Sequence, residues 1–275
     1  MSKVPRATST ATVVAVVSPE TSSGVVDALS SLSRISGVRP VIVALGEARE
    51  PERREENGAI VIDGLLPRYL NNAVASLRLS SLPTLAWWRA GDPGRLPGLA
   101  ALVERVVLDL EEPAAGWTVV ADIAPLASVS DLRWARLTRW RELIAQFFDM
   151  PEVRDSRAAF ERVEITGADA HDARLLGGWL RARLPAGDRL EVVAHSTPGA
   201  RLRSAMLSGP EGAVSVRLLA NGTCLETAVE MAAGPSSSRV VTLGDQQLAA
   251  LLGEELRVRS RDHAFEDAVR EAARL

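Results

Sequence analysis

Residues 11–45 constrain the architecture more than any other stretch. Ala11 to Val17 is a nearly continuous, valine-rich apolar run, the pattern of a strand buried on both faces. Thr21 to Ile35 places Val25, Leu29 and Leu32 on one helical face, and Gly37 ends it. Pro40 to Leu45 is a second apolar strand. Strand, helix and strand in this order imply a parallel pair with a right-handed crossover.

The alternation continues along the amino-terminal half. Glu47 to Asn57, charged and containing Pro51, reads as a loop. Ala59 to Ile62 reads as a third strand, Tyr69 to Leu79 as a helix and Thr84 to Arg89 as a fourth strand. Pro97 to Glu104 follows as helix and Val106 to Leu110 as strand, with Trp117 to Leu126 a strand or partly irregular segment. One helix, Asp131 to Phe148, closes this part before Pro151. The expected fold is an α/β domain with a mostly parallel sheet over residues 1–150, a linker at 151–159, and a smaller α+β domain over 160–275.

In that second part Phe160 to Thr166, Leu190 to Ala194, Val214 to Leu219 and Thr223 to Val229 read as strands. Asp172 to Leu184 and Gln246 to Leu256 read as helices, and Val240 to Leu243 as an edge strand. Asn221-Gly222 joins two of these strands, and both residues tolerate the positive φ that a tight hairpin turn requires.

Composition removes several function classes. The net charge of −3 supplies no basic field for nucleic acid. No apolar run reaches the roughly 20 residues of a membrane helix, and Thr10 to Val17 reads as a strand rather than a signal peptide, so a cytoplasmic protein is expected. Lys3 is the only lysine, and the other 31 of the 32 basic residues are arginine. A phosphate-loop or Schiff-base lysine would have to be Lys3. One cysteine, Cys224, excludes an intrachain disulfide and reads as a small half-buried apolar residue.

The motif search is negative. There is no Walker A sequence, no G-x-G-x-x-G after a strand, no H-E-x-x-H and no G-x-S-x-G. His171, His195 and His263 share no metal-ligand spacing, so neither a metal nor a cofactor is expected. Gly177-Gly178 within a helix marks close packing or a kink.

Two segments concentrate tryptophan and arginine in a chain poor in aromatic residues. In 82–91, Trp87 and Trp88 are adjacent on a strand and point to opposite faces, so at least one meets another layer, a cleft or a partner. In 130–149, Leu137, Trp140, Ile144 and Phe147 share one face, and packing on the first domain's sheet is expected for Ile144 and Phe147. Trp134, Arg133, Arg136 and Arg141 lie partly off that face. Ser130 is a reasonable cap, with Asp131 in the first turn. Tryptophan and arginine are also the residues enriched where proteins anchor to one another.

Leu82-Pro83-Thr84-Leu85-Ala86-Trp87-Trp88 resembles the LP-x-x-x-WW element of the glucose-6-phosphate dehydrogenase assembly proteins, the OpcA family. Asp131-Leu132-Arg133-Trp134-Ala135-Arg136-Leu137-Thr138-Arg139-Trp140-Arg141 is similar to that family's DL-x-W-x-RL-T-x-WR signature, and residues 142–149 continue the likeness. Residues 36–43 match more weakly. The resemblance implies a non-catalytic protein of the oxidative pentose phosphate pathway that binds glucose-6-phosphate dehydrogenase, promotes its active oligomer and raises its activity. Some family members are linked to redox control through cysteines, for which a lone Cys224 offers little basis.

On this reading Trp88, Arg89, Asp131, Trp134, Arg136, Trp140 and Arg141 are the partner-binding candidates. Unfolding by Trp134→Ala and Arg136→Ala would instead mark a core role. A competing reading is a sugar-phosphate sensor or enzyme, with Arg39, Arg89 and Arg136 lining a crevice where the first domain's strands end. A scaffold without effect on catalysis is a third.

Overall fold

The computed structural model describes residues 9–22, 24–232, 234, 236–258 and 260–275; Lys3 lies outside them. The chain begins with β1 (Thr12–Val17), α1 (Val25–Ser36) and β2 (Arg39–Leu45). It continues through β3 (Glu52–Glu56), β4 (Ala59–Leu65), α2 (Leu70–Leu77), β5 (Thr84–Trp88), α3 (Leu96–Ala100) and β6 (Arg105–Leu108). Two short helices, α4 (Pro113–Trp117) and α5 (Val120–Ile123), lead to β7 (Ser128–Asp131) and α6 (Leu132–Arg136). Next come α7 (Thr138–Phe147), α8 (Pro151–Asp155), β8 (Arg162–Thr166), α9 (Ala170–Arg183), β9 (Glu191–His195) and β10 (Ser204–Gly209). The rest is β11 (Gly212–Leu218), β12 (Cys224–Met231), β13 (Ser237–Thr242), α10 (Leu248–Arg257) and α11 (His263–Ala272).

These elements form two compact units, residues 1–135 with 246–262, and residues 136–245 with 263–275. Each unit is thus built from two separate stretches of sequence. Residues 151–159 are not simply a linker, because Pro151 starts α8, an N-terminal helical position that suits a residue lacking an N–H. Residues 246–262 join the amino-terminal unit.

The first unit holds a seven-stranded sheet in the order β3-β4-β2-β1-β5-β6-β7, parallel except for the β3–β4 pair. Along β1, Val13, Ala15 and Val17 enter one apolar core with Leu29 and Leu32 of α1 and Leu251 and Leu252 of α10. Thr12, Val14 and Val16 are equally buried on the opposite face, which accounts for the uninterrupted apolar run. Arg105 at the start of β6 ties α10 to the sheet: its Nε donates to Glu255 Oε2 at 2.9 Å and its Nη1 to Ser128 Oγ at 2.6 Å.

Three expectations for residues 1–150 need correction. Residues 52–56, read as part of a loop, form the edge strand β3, hairpinned to β4 through Asn57 (φ 50) and Gly58 (φ 79). The strand is exposed and entirely charged, a composition that discourages pairing with another chain. Residues 117–126 form no strand: Trp117 ends α4, which Pro113 opens, Val120–Ile123 form α5 and the residues between and after them are turns. Residues 131–148 are two helices, separated at Leu137, and not one.

The second unit holds a six-stranded sheet, β13-β12-β11-β10-β8-β9, antiparallel except between β8 and β9. The Asn221-Gly222 hairpin forms: Gly222 has φ 69, and Asn221 Oδ1 accepts from the Thr223 and Cys224 backbone N–H groups. Its core-facing residues alternate, as Leu225, Thr227, Val229 and Met231 show along β12. Gly177 and Gly178 serve close packing. A Cβ on Gly178 would stand 2.4 Å from Ala268 O of α11, and one on Gly177 2.6 Å from Val192 of β9. The apolar face of α7 packs on β11 of this sheet, so α7 belongs to the second unit rather than to the first as expected.

Candidate functional site

The strand order β4-β2-β1-β5-β6-β7 reverses direction between β1 and β5. In open α/β sheets the crevice at the carboxyl ends of the strands at such a point is where ligands bind. Here that edge is built by Arg89 and Asp109, the first residues beyond β5 and β6. Their backbone N–H groups extend the ladder, Arg89 N to Val16 O at 2.9 Å and Asp109 N to Trp88 O at 2.8 Å.

The side chains close on one another. Arg89 Nε lies 3.0 Å from Asp109 Oδ2, and the Trp87 indole N–H donates to that oxygen at 3.1 Å. The Arg89 guanidinium sits 5.1 Å from the Trp87 ring centroid, in cation–π range. Its Nη1 donates to Thr21 O at 2.6 Å. Arg89 therefore holds the turn that follows β1, which starts Ser18-Pro19-Glu20-Thr21 and carries one glycine, Gly24 at the N-cap of α1, rather than a G-x-G-x-x-G run.

Both tryptophans of this strand are wholly buried, on opposite faces. Trp87 belongs to the core with α1 and α10. The Trp88 ring packs beside Gly91 (φ 109), where a Cβ would stand 3.0 Å from both Trp88 and Leu45. Neither is therefore the exposed partner anchor that the strand pattern allowed.

The 131–141 signature is likewise built mainly of interior groups. Asp131 is fully buried at the end of β7. Its Oδ1 accepts from Arg133 N at 2.8 Å, starting α6, and its Oδ2 from Trp117 Nε1 at 2.9 Å. Burial pushes its pKa up to about 7; the indole hydrogen bond, the Arg133 backbone N–H and the Arg133 charge oppose that shift, and Asp109 adds to it. Trp134 is 2% exposed and donates from Nε1 to Asp262 Oδ2 at 2.8 Å. Trp140 is 3% exposed.

Of the seven partner-binding candidates, Trp88, Asp131, Trp134 and Trp140 are thus core groups. Burial is the physical reason that they are not available on the surface. Arg89, Arg136 and Arg141 are half-buried, Arg141 being held on its own helix by Thr138 Oγ1 at 3.0 Å. Arg39 and Arg89 do not line a common crevice. Arg39 begins β2 at the amino edge of the sheet and donates to Leu77 O, whereas Arg89 follows β5 at the carboxyl edge. Asp109, Trp117 and Asp262 were missed by sequence reasoning. Only Asp109 carried a signal, an acid directly after an apolar strand.

Residues 127–269, just over half of the chain, match the OpcA family model described as the C-terminal domain of the glucose-6-phosphate dehydrogenase subunit. The chain belongs to the OpcA family. An OxPP cycle protein OpcA of Synechocystis is 24% identical over 243 residues, 73% of this chain and 51% of that protein. The OpcA of Nostoc punctiforme is 31% identical over 124 residues, 42% of this chain and 27% of that protein. The chain therefore spans about half or less of these relatives.

Solved structures share its fold. Levoglucosan dehydrogenase in its apo form superposes with a TM-score of 0.52 at 9% identity, covering 96% of this chain and 97% of that one. The super-repressor Gal80p of Saccharomyces cerevisiae gives 0.52 at 9%, covering 90% and 83%. At such identity the likeness is one of fold alone. Among the described residues no helix is long and apolar enough to cross a membrane.

Proposed function

We propose that this chain is a non-catalytic assembly factor and allosteric activator of glucose-6-phosphate dehydrogenase, acting in the oxidative pentose phosphate pathway. The observation that carries the reading is the OpcA family match over 127–269, which takes in the whole 131–141 signature. The switch-point edge supports it. Where a dinucleotide enzyme with this strand order would seat pyrophosphate, Arg89, Asp109 and Trp87 are engaged with one another and with the β1 turn.

An activator of this kind works by binding the active enzyme form better than the inactive one, since only that difference shifts the population. The test is the initial rate of the same organism's glucose-6-phosphate dehydrogenase, titrated with this protein across a substrate series. A saturable rise in rate or fall in KM is expected. An unchanged rate with folded protein and competent enzyme overturns the proposal.

A further inference from the structure

The second unit contains a cleft of about 590 Å³, within the range of sites that engulf a compact ligand or a few side chains. Its apolar lining comes from the end of α7 (Ala145 and Phe148) and the end of α9 with the turn beyond it (Trp179, Leu180, Leu184 and Pro185). Phe148 is held edge-on against Phe160, with ring centroids 6.0 Å apart at 81°, so the cleft has a fixed aromatic wall. Trp179, Leu180 and Leu184 are nearly covered by the fold, whereas Ala145 and Pro185 are exposed at the mouth.

The rim carries charge of one sign. Arg157 and Arg183 both line the cleft, and no Asp or Glu does. Arg183 lies 3.4 Å from Asp267, with its side chain still 45% exposed. Arg157 is exposed on the segment after α8. An apolar pocket rimmed by guanidinium groups suits an apolar side chain flanked by carboxylate, because the anchor is desolvated while the acid pairs at the edge.

Two other regions are weaker candidates. The cavity at the amino edge of the first sheet is lined by Arg105 and Glu255, which already satisfy each other. The polar groove on the second sheet is lined by Arg217 and Glu226, which pair across strands at 2.5 Å. Of these three regions the cleft is the one that adjoins the signature stretch, since Ala145 and Phe148 belong to residues 142–149.

We infer that this cleft is the seat for an acidic, apolar-anchored segment of glucose-6-phosphate dehydrogenase. The inference rests on the function proposed above and assigns it a surface. Because the signature tryptophans are buried, they shape the interior, and the last turn of α7 presents the contact.

The experiment measures the affinity of glucose-6-phosphate dehydrogenase for the full chain and for three variants, with thermal melting of each as a control on folding. Ala145→Glu puts bulk and negative charge at the mouth from an exposed helical position, and Arg157→Glu reverses a rim charge. Ser215→Glu alters the open sheet groove instead. The expected result is at least about tenfold weaker binding for the first two at unchanged melting temperature, with Ser215→Glu binding like wild type. Arg157 lies outside any helix or strand, so its variant keeps the test valid even where Ala145→Glu melts early. Wild-type affinity in Arg157→Glu and in a folded Ala145→Glu overturns the assignment, as does weakening confined to Ser215→Glu. Absence of binding by the wild-type chain defeats the underlying function and this surface with it, and is distinguishable from the other outcomes because no variant is involved.

Discussion

The Trp134 indole donates its N–H to the Asp262 carboxylate at 2.8 Å, joining residues 128 positions apart in sequence. The bond fastens the segment after α10 to the start of the signature helices, within one unit. Removing the acceptor leaves a buried indole N–H without this partner. Asp262→Ala is expected to cost about 1–3 kcal/mol, and Trp134→Ala about 3–5 kcal/mol through the added cavity. Urea denaturation of each variant checks both values, and equal losses would mean that the ring volume contributes nothing beyond the bond.

Asp131 makes stability depend on pH in an unusual direction. In the folded chain its pKa is raised from 3.8 to about 7. Between these values the native state keeps a proton that the unfolded chain has released. This group's contribution is therefore full below about pH 4, falls as pH rises by up to about 1.4 kcal/mol per pH unit, and is lost above about pH 7. Asp131→Asn, which cannot ionise, is expected to remove that component. Urea denaturation of both proteins at pH 4.5 and 7 should show wild type losing more stability than the variant over that interval. Parallel pH profiles would refute the assignment.

Gly178 is a packing requirement rather than a hinge. Its substituent position is 2.4 Å from Ala268 O and 2.7 Å from Ala272 N, both backbone atoms that move only with α11. Gly178→Ala is expected to destabilise by about 1–3 kcal/mol despite alanine's better helix propensity. A melting temperature equal to or above wild type would show that the two helices yield without cost.

The buried Arg105–Glu255 pair gives a test by compensation. Arg105→Met alone strands the Glu255 carboxylate in a site where both side chains are under 10% exposed, and is expected to cost about 3–5 kcal/mol. Adding Glu255→Leu should recover most of that loss. A double variant no more stable than the single one would mean that the pair is needed for more than mutual neutralisation.

What the sequence disclosed depended on how each residue comes to be buried. β1, β2, β5 and β6 were legible because strands covered on both faces are apolar along most of their length. β7, with sequence SVSD, was not, because its buried polar residues are tolerated only in a folded setting such as the Asp131–Trp117 bond. β3 was missed for the opposite reason, since an exposed edge strand needs no apolar residue. Asn57-Gly58 is the same dipeptide that located the Asn221-Gly222 hairpin; at 57–58 both residues take the positive φ of a tight turn, whereas at the second hairpin Gly222 does and Asn221 does not. The signature's aromatic content was legible, but its role was not. Trp134 reads as a surface anchor until Asp262 is known to meet it, and Arg157 and Arg183 are brought to one cleft only by the fold.

The split construction of the first unit governs the order in which the chain can finish folding. Leu251 and Leu252 belong to the same core as β1 and α1, yet they leave the ribosome long after Ala135. At about 5–20 residues per second that interval is on the order of ten seconds. During it the sheet and α1 await the helix that seals them, while most of the other unit is being synthesised. That unit in turn awaits α11. Completion of both therefore waits for residues 246–275, and a chain cut short before α10 would expose unsealed apolar surface in both.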